Sequence, residues 1–149
     1  MTELQNALTL VMKMKSVEEG RTLEQQLRQI EALPAEKNPI RVALEKIATV
    51  HFARFVFIDG HRTLAVITTY DDSLDEYLNE FIDEIGNVFN EILKHVKGAP
   101  PLPVQEHRAE FIAYVKAHDR KPVAPQYSAY PGMSVLDIRA ALREAQAGT

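Results

Sequence analysis

Hydrophobic and polar residues alternate from the start of the chain. Leu8, Leu10, Met12 and Met14 fall on one side of an extended segment, with Thr9, Val11 and Lys13 on the other, so residues 7–14 read as a strand. Ser16 with Glu19 three positions later forms a capping box. Leu23, Leu27 and Ile30 then recur at helical spacing, which predicts a helix over 17–32, weakened by Gly20 and stopped by Pro34. Asn38-Pro39 places a cap before a proline at the first helical position, and Ile40, Leu44 and Ile47 continue a short helix. Residues 50–58 (VHFARFVFI) and 63–70 (TLAVITTY) flank Asp59-Gly60-His61-Arg62 and predict a β-hairpin.

The second half begins with another Ser–Glu box, Ser73 and Glu76. Leu74, Tyr77, Leu78, Phe81, Ile82, Ile85, Val88, Phe89, Ile92 and Val96 form an apolar stripe, so a long helix is expected over 74–96. Asp72 and Asp75 suit its positive end, and Lys94, His95 and Lys97 its negative end. The run 98–103 (GAPPLP) stops it. A helix over 106–118 turns Phe111, Ile112 and Val115 inward. The proline-rich stretch that follows is extended, with a short edge strand expected at 126–129. Ser134 and Asp137 cap a last helix over 135–145.

Without the short helix after Pro39 and the C-terminal helix, the order is βαββαβ, the ferredoxin-like unit: an α+β fold with a four-stranded antiparallel sheet and two main helices on one face. The expectation is one domain over residues 1–149, with its core at 7–130 and a helical extension at 131–149. A sheet covered on one face alternates apolar with polar positions. In 50–58 both rows are largely apolar: His51, Ala53, Phe55 and Phe57 on one, Phe52, Arg54, Val56 and Ile58 on the other. Both faces therefore call for cover. The main helices supply one; a second copy of the chain, as a homodimer, or the C-terminal helix folded back supplies the other.

This element order, with the pattern VHFARFVFIDG…LAVITTYDDSLDEYLNEFID, resembles the dimeric α/β-barrel superfamily over about residues 7–130, and within it the branch related to dye-decolourising heme peroxidases. The GxxDG motif of that branch is absent, because Val56-Phe57-Ile58 precede Asp59-Gly60; no catalytic aspartate carries over. The resemblance implies a ligand-binding cavity for heme or a small aromatic or lipophilic compound, with oxidoreductase chemistry of peroxidase or monooxygenase type. The competing reading is a non-catalytic accessory or assembly domain without ligand. A regulatory ligand-sensing domain is a more distant one.

Composition narrows these classes. Lys and Arg total 17 against 21 Asp and Glu, a net charge of −4, which is the wrong sign for phosphate neutralisation along a nucleic acid. With no cysteine, disulfides, thiolate metal sites and thiol catalysis are excluded. No apolar run approaches the roughly 18 residues of a membrane span, and no basic start precedes an apolar block as in a secretory signal. The expectation is a cytoplasmic protein with no membrane or nucleic-acid partner. No zinc, non-heme iron, Walker, dinucleotide or nucleophile-elbow motif occurs, so no metal residues are assigned.

The hairpin supplies the candidate site. A turn at Gly60-His61 pairs Phe57 with Leu64, Phe55 with Val66, Ala53 with Thr68, His51 with Tyr70, Arg54 with Ile67 and Phe52 with Thr69. His51, Thr68 and Tyr70 then form a polar cluster at one end of one face, while Arg54 points to the other unless a bulge intervenes. The candidate catalytic residues are His51 as base or ligand, Arg54 as anion anchor and Tyr70. Phe52, Phe55 and Thr68, with Tyr127 and Tyr130 in a proline-pinned lid, are the candidate ligand-binding residues. His61 is expected in the solvated turn, and His95 near the end of the long helix.

Overall fold

The computed structural model describes residues 4–148. Its strands are β1 (Gln5–Lys13), β2 (Val50–Ile58) and β3 (Thr63–Asp71), and its helices α1 (Val17–Glu31), α2 (Pro39–Ile47), α3 (Leu74–Leu93), α4 (Arg108–His118) and α5 (Val135–Ala147). Short 3₁₀ turns precede α2 and α4 at Ala35–Lys37 and Val104–Glu106. The caps read from sequence form: Ser16, Asn38, Ser73 and Ser134 each accept a backbone N–H of the following helix.

The sheet is three-stranded and antiparallel, in the order β1-β3-β2. This corrects the expected four-stranded βαββαβ sheet. The predicted strand at 126–129 does not form. Pro122, Pro125 and Pro131 remove backbone donors around it. All that stands where a fourth strand would lie is one bridge between Asp119 and Leu10 beside β1, in which Arg120 N–H donates to Thr9 O at 2.8 Å. Beyond it the chain runs on as a strap to α5.

The inner face of the sheet carries Leu8, Leu10 and Met12 of β1 and Leu64, Val66 and Tyr70 of β3, all buried. α3 lies on this face because its apolar positions recur every three or four residues, and Tyr77, Leu78, Phe81, Ile82, Ile85, Phe89, Ile92 and Leu93 are all buried. Full burial of one such side chain is worth about 1.5–3 kcal/mol. α4 adds Phe111, Tyr114 and Val115 to the same core, with Ile112 partly buried against it.

α1 rests on this body most closely by its first turns, with Gln26 reaching His95 and Leu27 packed partly against the core. Only Gly20 and Leu23 of the helix are buried, and Gly20 presses on the hairpin turn. A Cβ at Gly20 would lie 2.2 Å from His61 O, so glycine, a poor helix former, is what this close approach requires. Further along, α1 stands away from β2, and α2 folds back onto α3, where Lys46 pairs with Glu84 at 3.2 Å. The outer face of the sheet bears Ala7, Val11, Ala65, Ile67, Phe52, Val56 and Ile58, with Arg54 in the same row at the edge of β2; Phe52 is 76% exposed.

A candidate binding cleft along an edge strand

A cleft of about 1500 Å³ separates β2 from α1 and α2. Its apolar lining is Leu27 and Ile30 of α1, Ile40 and Leu44 of α2, and Val50, Ala53, Phe55 and Phe57 of β2. Residues 53–57 all line it consecutively. A pocket on one face of a strand touches alternate residues; contact with every residue in a row means that this cleft follows the outer edge of β2. Gly60 and His61 stand at one end, His51 and Arg139 at the other.

Most charges on the walls are already paired. Glu24 accepts from His61 Nε2 at 3.0 Å and meets Arg28 at 3.3 Å. The hydrogen bond from His61 and the charge of Arg28 hold the Glu24 carboxyl below its ordinary range. Arg41 faces Glu31 at 3.7 Å, and Arg139 of α5 binds Glu45 of α2 at 3.1 Å. Among the described lining residues, Arg54 on the strand wall and Glu36 on the helical wall have no ion pair or side-chain hydrogen bond.

The His51 end is built by a bulge. Val50 pairs with Tyr70 and Phe52 with Thr69, so His51 is an extra residue in the ladder. The bulge moves His51 out of the expected row opposite Tyr70 and lets its ring reach Asp71. Nε2–H donates to Asp71 Oδ1 at 2.7 Å, with side-chain exposures of 7% and 2%. The second oxygen, Oδ2, accepts Val135 N–H at 2.8 Å, the first helical amide of α5. One buried carboxylate thus joins the edge strand, the sheet and the last helix. Asp71 reads from sequence as half of an aspartate pair before a helix; its pairing with His51 depends on a bulge that no residue pattern announces.

The structure separates the expected site residues. His51, Arg54 and Phe55 line the cleft. Tyr70 and Thr68 are in the core on the inner face, Tyr70 stacked on Tyr77 with ring centroids 4.5 Å apart. Burial, reinforced by the charges of Asp119 and Asp75, pushes the Tyr70 phenol up to about 12. Phe52 lies on the outer face. Tyr127 and Tyr130 are exposed on the strap, away from the cleft; Tyr127 borders a small hollow of about 480 Å³ with Gln5 and Gln126, and Tyr130 O accepts from Gln5 Nε2. Leu27, Ile40 and Leu44 were indistinguishable in sequence from ordinary core positions of an amphipathic helix.

No protein family, characterised protein or solved structure matches this chain. The reading of the cleft therefore rests on its own chemistry.

That chemistry does not fit an axially ligated heme. The two histidines on the cleft, His51 and His61, both commit Nε2 to a carboxylate. The remaining Nδ1 sits beside its own Cβ, where a porphyrin plane meets the side chain. His95 lies outside the cleft with both ring nitrogens engaged, by Glu19 and Gln26, and His118 stacks on Tyr114 at 4.1 Å. Among the described residues no group of three or more metal-ligating side chains converges. No described helix is long and apolar enough to cross a membrane.

Proposed function

We propose that this chain is a binding protein whose cleft between β2 and the α1–α2 pair receives an elongated, largely apolar guest bearing an acidic group. The observation that carries this reading is the cleft itself: an apolar floor some seven residues long, with Arg54 at its rim lacking a partner. Apolar lining supplies affinity in proportion to the surface removed from water, and a few placed polar groups supply orientation. A small lipophilic or aromatic acid and an extended chain segment share this chemistry.

The test is binding of an anionic naphthalene dye to the purified protein, followed by fluorescence. Ala53 is exposed and lines the cleft, so Ala53→Trp fills it without disturbing the core. A tenfold or greater loss of dye binding at unchanged melting temperature is expected, while Phe52→Thr on the outer face leaves binding intact. The opposite pattern would place the dye on the sheet's outer face and overturn the reading. Hemin added in the same assay is expected to give no histidine-ligated Soret band.

A second reading is favoured by the outer face. Phe52 and Ile58 are 76% and 48% exposed beside Val56, Ile67 and Val11, a surface unusually apolar for a sheet face left to solvent. Here a second copy of the chain covers that face, and concentration-dependent sedimentation that Phe52→Glu abolishes is its signature.

A further inference from the structure

We propose that the guest of the cleft is an extended polypeptide segment of another protein, added to β2 as a fourth strand. The inference rests on the cleft being the binding site and names what fills it.

β2 is an edge strand. Its inner side pairs with β3 except at the His51 bulge, and among the described residues no backbone or side-chain hydrogen bond reaches the outer side of its backbone. That side presents alternating N–H and C=O groups, each costly to leave dry and unpaired. Only another backbone at the same rise satisfies them in series. A small acid can meet one or two.

Edge strands of soluble proteins are usually blunted by proline, lysine or a covering element. β2 holds neither proline nor lysine. Its one charge is Arg54, and its one irregularity is the bulge at His51, which leaves residues 52–58 regular. Seven residues at about 3.3 Å each give an edge of about 23 Å.

The cleft argues against a second copy of this chain as the occupant. α1 and α2 wall the inner side of the edge, and a partner bringing its own β2 would bring the same two helices to the same side. A single strand fits between wall and edge; a helix-backed sheet does not. Leu27, Ile40 and Leu44 face the side chains that such a strand would turn inward. The two charges without partners set its polarity of charge: an acidic side chain beside Arg54, and a basic one toward Glu36. Strand addition of this kind draws affinity from main-chain hydrogen bonds and selectivity from pockets for alternate side chains.

The probe is an acetylated, amidated heptapeptide of alternating valine and threonine with a central glutamate, titrated against the intact chain. Two further versions carry N-methyl groups on the odd or on the even amides. Binding is expected with slowed amide exchange confined to residues 52–58, a tenfold or greater loss for one N-methylated version, and little loss for the other. Arg54 is exposed, so Arg54→Glu keeps the fold, and it should weaken the glutamate peptide about tenfold and favour its lysine counterpart. Equal loss from both N-methylated versions, or exchange protection outside β2, overturns strand addition. Dye binding that the peptide neither shares nor displaces overturns it too, while leaving the cleft reading in place. Absence of both dye and peptide binding at the cleft overturns the two together.

Discussion

Gly20 shows a residue's intrinsic preference losing to its contacts. Glycine inside a helix is about 1 kcal/mol worse than alanine, so the sequence alone recommends Gly20→Ala. The structure reverses the sign. A Cβ there would lie 2.2 Å from the carbonyl oxygen of His61 and 3.0 Å from its Cβ. The obstacle is backbone, in a turn where Asp59, Gly60 and His61 all have positive φ and little freedom to retreat. His61 is further pinned by Glu24 and by its ring contact with Phe57. Relieving such a clash costs about 1–3 kcal/mol, which outweighs the propensity gain. Gly20→Ala is therefore expected to lower stability in urea, and to weaken dye binding because α1 is one wall of the cleft. A stabilised variant would mean that α1 does not rest on the hairpin.

Individual elements were legible wherever local chemistry decides them. Ser16, Asn38, Ser73 and Ser134 announce their helices because a capping side chain acts within three residues. The hairpin register follows from its turn and the alternation of its strands, and the pairs Phe57–Leu64, Phe55–Val66 and Ala53–Thr68 are those observed. Two features escaped because they depend on distant partners. The fourth strand needed backbone donors that Pro122 and Pro125 cannot supply, and the bulge at His51 arises where β2, Asp71 and α5 meet. His51, Arg54 and Phe55 could thus be read as site residues, while the reason that they share one cleft could not. The Asp71 corner makes α5 the element most exposed to a single change. Both groups aimed at this carboxylate need it as their acceptor, and alanine offers none. Asp71→Ala leaves the buried Val135 N–H unpaired at about 1–3 kcal/mol. Hydrogen exchange of residues 135–147 should accelerate by about 5- to 150-fold, with β3 still protected. Uniform acceleration through β3 would show that α5 does not open separately.

At the scale of the whole molecule, one core unites the sheet's inner face with α3 and α4, and three of the five tyrosines lie in it. Burial pushes Tyr70, Tyr77 and Tyr114 each up to about 12, and Tyr77 is the deepest at 2% exposure, its hydroxyl buried beside that of Thr68. In an unfolded chain these phenols ionise near 10. Between the two values the unfolded state has lost protons that the native state keeps, so the unfolded state binds fewer and stability falls as pH rises. The contribution is fully present below about pH 10 and is lost through about pH 12. Thermal unfolding followed at a series of pH values should show no loss from these groups below about pH 10 and a steep decline between about pH 10 and 12. Phenolate absorbance equal to three tyrosines should appear together with the loss of helical circular dichroism. Tyr77→Phe keeps the ring and removes the buried hydroxyl, so it should move the alkaline midpoint upward at no cost near neutrality. Phenolates that form while the helices persist, with an unmoved midpoint in Tyr77→Phe, would show that water reaches the space between β3 and α3, and the sheet that positions β2 would then lack the dry core described here.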